Sequence, residues 1–109
     1  MGSGETLTWP GVIRVNITQD ALEDLNEGCL FYKAQDADLG EYFSDSLKSD
    51  IEGLKVTGGI HRLAYKDYRR ALSRIFPYAI YYTIEGEAVT IWAVIDCRRN
   101  PEWISGHLG

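Results

Sequence analysis

Leu39, Phe43, Leu47, Ile51 and Leu54 recur at spacings of four, four, four and three residues. That rhythm matches the 3.6-residue helical period and gathers all five side chains on one side of a helix. A helix with so long an apolar stripe must lay it against another element. The segment just upstream is suited to be its neighbour. Ala21, Leu25, Cys29 and Tyr32, reinforced by Leu22, recur at helical spacing through about residue 35. Thr18 is placed as an N-cap, and Asp20, Glu23 and Asp24 put negative charge where the helix dipole favours it. Only Asp36-Ala37-Asp38 breaks the two ladders, so the helices are expected to run antiparallel as a hairpin, the first with an acidic outer face.

Beyond Gly58-Gly59 the composition changes to β-branched and aromatic residues. Tyr78–Ile84 and Ala88–Ile95 read as strands joined at Glu85-Gly86-Glu87, where glycine supplies a tight hairpin turn. Tyr68–Phe76, ended by Pro77, alternates Arg70, Leu72 and Arg74 against Arg69, Ala71 and Ser73, a strand carrying arginines. Before the helices, Val12–Ile17 alternates as a short strand. Pro101-Glu102-Trp103-Ile104 is expected to form at most a short terminal turn of helix. The expected fold is α+β in two layers: an N-terminal strand, then a helical hairpin packed on a mostly antiparallel sheet of about four strands. Residues 1–11 read as a flexible lead-in and 12–109 as a single domain, since 109 residues leave little room for a second.

Net charge is −5, which disfavours a general nucleic-acid binder. The charge is unevenly spread. Residues 1–60 hold 4 basic and 11 acidic groups, while residues 61–109 hold 7 basic and 5 acidic. Cys29 and Cys97 follow no metal-ligand or CxxC spacing, and with only His61 and His107 beside them no zinc set assembles. Both are expected to be reduced thiols. No metal, cofactor or membrane partner is expected, because phosphate loops, nucleophile elbows, helical histidine pairs and membrane-length apolar runs are all missing from the sequence.

The chemistry therefore rests on a basic and aromatic cluster: Arg62, Lys66, Arg69, Arg70, Arg74, Tyr78, Tyr82, Arg98 and Arg99, with Trp103 beyond it. Guanidinium groups beside phenols can hold phosphates and stack on unpaired bases, a cradle for single-stranded RNA. They serve equally as a dock for an acidic protein segment.

Residues 69–82, RRALSRIFPYAIYY, followed by residues 89–101, VTIWAVIDCRRNP, resemble the RelE/ParE family of type II toxins. Val15-Asn16-Ile17-Thr18 leading to residues 21–25, ALEDL, is similar as well, so the resemblance spans roughly Gly11–Ile104. It implies a small cytoplasmic bacterial toxin of a plasmid-stabilisation type, neutralised by a cognate antitoxin through which alone it would meet operator DNA. Two activities occur in such a family. RelE-like members enter the ribosome and cut messenger RNA; ParE-like members inhibit DNA gyrase and are not nucleases. Under the first, Lys66, Arg70, Arg74 and Arg98 would make phosphate and transition-state contacts and Tyr82 would donate a proton. Under the second, or in a non-toxic relative that keeps antitoxin binding, Arg62, Arg69, Arg70, Arg74, Tyr78, Arg98, Arg99 and Trp103 would contact target or antitoxin.

Charge separates these readings. An enzyme working in the phosphate field of a ribosome is expected to be strongly basic, and this chain is acidic. After Pro101 the residues are EWISGHLG, without the arginine, lysine or tyrosine that RelE-like catalysis places near the end, and Asp96-Cys97 stands where many relatives have a histidine before the arginine pair. Gyrase is thus the expected target, with ribosome and messenger RNA as the alternative.

Overall fold

A computed structural model describes residues 14–108. The lead-in expected over residues 1–11, and the first two residues of the strand expected from Val12, lie outside them. The order is β1 (Arg14–Ile17), α1 (Gln19–Gln35), α2 (Ala37–Thr57), a single 3-10 turn (Gly58–Ile60), β2 (Leu63–Tyr65), β3 (Tyr68–Leu72), β4 (Tyr78–Glu85), β5 (Ala88–Asp96) and α3 (Pro101–Leu108). The five strands form one sheet in the order β1-β5-β4-β3-β2, with β1 parallel to β5 and the other pairs antiparallel. This is the expected α+β architecture.

Local chemistry sets the hairpin. The Thr18 hydroxyl accepts from the Ala21 amide at 3.1 Å, capping α1. The break between the helices is narrower than expected: Asp36 alone turns the chain. Its N–H donates to the Tyr32 carbonyl to end α1, and its carboxylate accepts from the Asp38 amide at 2.8 Å to begin α2. So tight a connection brings the helices into backbone contact. A Cβ on Gly40 would stand 2.7 Å from Lys33 Cβ and 3.0 Å from the Cys29 carbonyl. One on Gly28 would meet the Phe43 ring at 2.6 Å. The α2 stripe behaves as its spacing predicts, with Phe43, Leu47, Ile51 and Leu54 buried. In α1 the buried residues are Ala21 and Gly28, and Leu22 faces solvent.

On the sheet, Ala71, Tyr78, Ile80, Tyr82, Val89, Ile91 and Val94 face the hairpin and complete the main core. Ala79, Tyr81, Ala93 and Ile95 form a second, smaller cluster on the opposite face. A register shift between Tyr81 and Tyr82 leaves Trp92 as the extra residue on β5. Two expectations need correction. The arginine-bearing strand stops at Leu72 rather than Phe76, because the Ser73 amide donates to the Tyr78 carbonyl at 2.8 Å and folds residues 73–77 into a turn. The C-terminal segment is a two-turn helix, not a single turn. Asn100 caps it through the Trp103 amide at 2.8 Å, Pro101 opens it, and Ile104 and Leu108 lie one turn apart on the second cluster.

Candidate functional site

The end of β5 is where the sheet stops being covered by a strand. β1 pairs with β5 only as far as Ile91, so residues 92–96 have no strand on that edge. In place of a strand, the Asp24 carboxylate reaches over from α1 and accepts from the Val94 amide at 3.0 Å. The side chain is only 11% exposed. Burial pushes its pKa up, against the opposing pull of the Val94 amide and His107.

A cleft of about 260 Å³ opens along this edge. Helical spacing puts Asp24, Glu27, Gly28 and Phe31 of α1 on one wall. The floor comes from Tyr78 and from Val94, Ile95 and Asp96, and the far wall from Arg98, Arg99 and Trp103. The Asp96 carboxylate accepts from the Arg98 amide at 2.8 Å and from Arg98 Nε at 2.9 Å, and this pairing holds its pKa below the ordinary carboxylate value. The Arg99 guanidinium lies 4.3 Å from the centre of the Trp103 ring. Tyr78 is pushed up to about 12 by burial, so at neutral pH its phenol is uncharged.

A second cleft of about 470 Å³ lies between α2 and β3, with Leu54, Ala71 and Ile80 at its base and Ser49, Asp50, Thr57, His61 and Arg74 around it. The Asp50 side chain, 7% exposed, accepts from Ser73 Oγ at 2.7 Å and Arg74 Nε at 2.9 Å, tying α2 to the β3–β4 turn.

The cluster expected from sequence is divided between these places. Tyr78, Arg98, Arg99 and Trp103 meet at the first cleft, while Arg74 lines the second. Arg69 points to the hairpin side and donates to the His61 carbonyl. Its neighbour Arg70 alternates to the opposite face and is exposed, as strand geometry requires. Arg62 is exposed in the connection before β2. Lys66 occupies the β2–β3 turn at φ 51°, its ammonium 5.3 Å from the centre of the Tyr65 ring. Tyr82 is wholly buried, donates its hydroxyl to the Gly58 carbonyl, and is pushed up to about 12 by that burial. It has no surface to offer a substrate.

Sequence reasoning gave Asp24 only a place in the early turns of α1 favoured by the helix dipole, and singled out neither Glu27 nor Phe31. Their spacing of three and four residues was the available signal. Among the described residues no group of three or more His, Cys, Asp and Glu could hold a metal ion, and no helix is long and apolar enough to cross a membrane. Both cysteines are free, Cys29 donating its thiol to the Gly40 carbonyl at 3.4 Å. What the first cleft offers is two aromatic walls, an arginine stacked on one of them, and carboxylates opposite. That suits the side chains of a protein segment.

Residues 15–101 match a family described as the ParE toxin of type II toxin-antitoxin systems, parDE. No curated protein matches the chain. Among solved structures, a chain of the chromosomal ParDE TA system from P. aeruginosa superposes with a TM-score of 0.71 at 11% identity, covering 78% of this chain and 96% of that one. At that identity the likeness shows a shared fold.

Proposed function

The chain belongs to the ParE toxin family of type II toxin-antitoxin systems, and from that footing we propose that it acts by protein contact, inhibiting DNA gyrase rather than cutting messenger RNA. The observation that carries this reading is the fate of Tyr82, the candidate proton donor under the nuclease alternative. It is wholly buried and bonded to the Gly58 carbonyl. The cations assigned to the same mechanism do not converge. Arg70 is on the face away from the hairpin, Arg74 is paired with Asp50, and Arg98 is paired with Asp96. General acid catalysis needs its donor within hydrogen-bond reach of the reacting atom. The residues that do converge, Arg99, Trp103, Phe31 and Tyr78, are of the types that anchor protein interfaces. The antitoxin that the family implies as partner is expected to use the same arginines and aromatics when it neutralises the toxin.

Expression without the antitoxin is expected to cause filamentation and a DNA-damage response. Purified protein in micromolar excess is expected to stop supercoiling by gyrase and to leave messenger intact in a translating extract. Supercoiling that continues unaffected overturns the reading. Cleaved messenger would return the protein to the nuclease branch, and harmless expression with tight antitoxin binding would make it a non-toxic relative. Changing Arg99 and Trp103 together to Ala is expected to weaken gyrase inhibition roughly tenfold or more, as for a central aromatic and arginine pair in an interface. Tyr82→Phe is expected to leave inhibition unchanged.

A further inference from the structure

Strand β5 turns its backbone groups alternately to its two sides. The Cys97 amide donates to the Pro77 carbonyl at 2.8 Å and the Val94 amide donates to Asp24, so Ile95 and Cys97 face β4, while Val94 and Asp96 face the edge that β1 leaves open. Each of these two outward residues has half of its pairing capacity taken. At Val94 the amide is bonded to the Asp24 carboxylate, which stands where the carbonyl of a strand would, and at Asp96 the carbonyl accepts from the Arg99 amide at 3.1 Å. The Val94 carbonyl and the Asp96 amide remain. Both residues line the first cleft, and among the described residues no hydrogen bond from a helix, a turn or a side chain reaches either group.

We propose that these two groups form the binding rung for an extended segment of a partner protein, added parallel to β5, with an acidic side chain at the rung and apolar side chains before and after it. The inference rests on the first cleft being a protein-contact surface and adds what kind of segment enters it. A carbonyl and an amide two residues apart on one strand bracket a single residue of a parallel neighbour, which donates to the first and accepts from the second. An antiparallel guest needs both groups of one residue, and neither Val94 nor Asp96 has both to give. β1 already runs parallel to β5 on this edge as far as Ile91, so the guest continues the direction of the sheet. Strand addition of this kind draws affinity from the main chain and selectivity from alternate side chains.

Alternation assigns those side chains. The bracketed residue lies beside Ile95 and shares its face, the side covered by α3. There the Arg99 guanidinium lies over the Trp103 ring and forms no ion pair among the described residues, while Arg98 is taken by Asp96. A carboxylate fits that position. The residues before and after it turn to the hairpin side, toward Tyr78 and the half-exposed Phe31. Asp24 and Glu27 on the same wall repel acids from those two positions.

The full chain, labelled with nitrogen-15 and titrated with an acetylated and amidated pentapeptide of the order alanine-valine-glutamate-valine-alanine, reads the edge by NMR. The Asp96 amide proton is expected to move downfield as it gains an acceptor, and to exchange roughly tenfold more slowly at a peptide concentration about ten times the dissociation constant. The same peptide N-methylated at its glutamate has no donor for the Val94 carbonyl and is expected to lose the effect. Replacing the glutamate by lysine is expected to weaken binding roughly tenfold or more, and Arg99→Gln in the protein to remove most of that preference. Asp96→Pro removes the outward amide without removing a bond to β4 and is expected to end binding, with the β4 amides reporting on the fold. No response at Asp96, an equal response to the N-methylated peptide, or a concentration-dependent shift of Asp96 without peptide, which would put a second copy on the edge, overturns the proposal. Should Asp96→Pro fail to fold, the N-methylated peptide on the parent chain still decides it. Gyrase takes no part in the titration, so a failure here leaves the inhibition assay standing, and a failure of that assay leaves this binding unaffected.

Discussion

On the hairpin side of the sheet, α1 and α2 approach until backbone meets side chain at Gly40 and ring meets backbone at Gly28, and four α2 residues are 0 to 3% exposed. On the other side, α3 buries none of its residues and is tied by one hydrogen bond from Tyr68, two half-covered apolar side chains and the Asp24–His107 contact. All three are amphipathic helices on the same sheet. They differ in what holds them: contact between close-packed apolar surfaces in one case, directional polar and stacking contacts in the other. The first kind changes little with salt, whereas contacts between exposed charged groups are screened by it. Elements that open locally are drawn from the less buried parts of a structure, so α3 is expected to open more readily than the hairpin.

The contrast can be broken or sharpened by substitution, read by urea denaturation and, for α3, by amide exchange as well. Leu47→Ala should have the largest effect, about 2 to 5 kcal/mol, as a fully enclosed side chain leaves a cavity. Gly40→Ala follows at about 1 to 3 kcal/mol, because the added methyl must push Lys33 and the Cys29 carbonyl away from α2. Asp50→Ala should cost about 1 to 3 kcal/mol, leaving the Ser73 hydroxyl and the β3–β4 turn without their acceptor. Ile104→Ala on α3 should be the least costly of these, about 1 kcal/mol or less, with the loss confined to exchange of residues 101–108. A global loss as large as that of Leu47→Ala would show that the two sides are one cooperative unit and erase the distinction.

Two carboxylates set opposite pH dependences. Asp96 is held below its ordinary value by Arg98, so its contribution is present above the unfolded-state value of 3.8 and is lost as pH falls through the lower folded value. Asp24 is raised by burial, so its contribution is complete below 3.8 and is lost as pH rises through the folded value. Asp24→Asn, which retains an acceptor for the Val94 amide, is therefore expected to leave the melting temperature at pH 7 unchanged or raised. A clear fall would mean that the charge of Asp24 stabilises the whole fold.

Much of the architecture was legible because it was written in periodic patterns. The α2 stripe, the Thr18 cap and the Gly86 turn each state their structure within a few residues. The elements left unread or read too short were those whose local signal ran the other way. Lys66 takes a positive φ that glycine would usually fill, so the β2–β3 turn carried no sequence mark. Gly106 argued against a helix that Asn100 and Pro101 were already starting. Around the first cleft, Arg98, Arg99, Tyr78 and Trp103 had been singled out as residue types and the acidic wall across from them had not, because an exposed acidic helix face and a cleft wall look alike in one dimension.

The sequence by itself determined the helical hairpin and the antiparallel ribbon of β4 and β5, since each depends on residues near one another along the chain, and its runs of motif residues pointed to the family. Only the tertiary structure decided which charged groups act together. Arg69 and Arg70 are neighbours in the chain and stand on opposite faces of the sheet, whereas Asp24 and His107, more than eighty residues apart, meet at 3.2 Å. The reason is geometric. A strand reverses its side chains at every residue and a helix repeats its own at every third or fourth, so adjacency in sequence separates groups that only packing brings together.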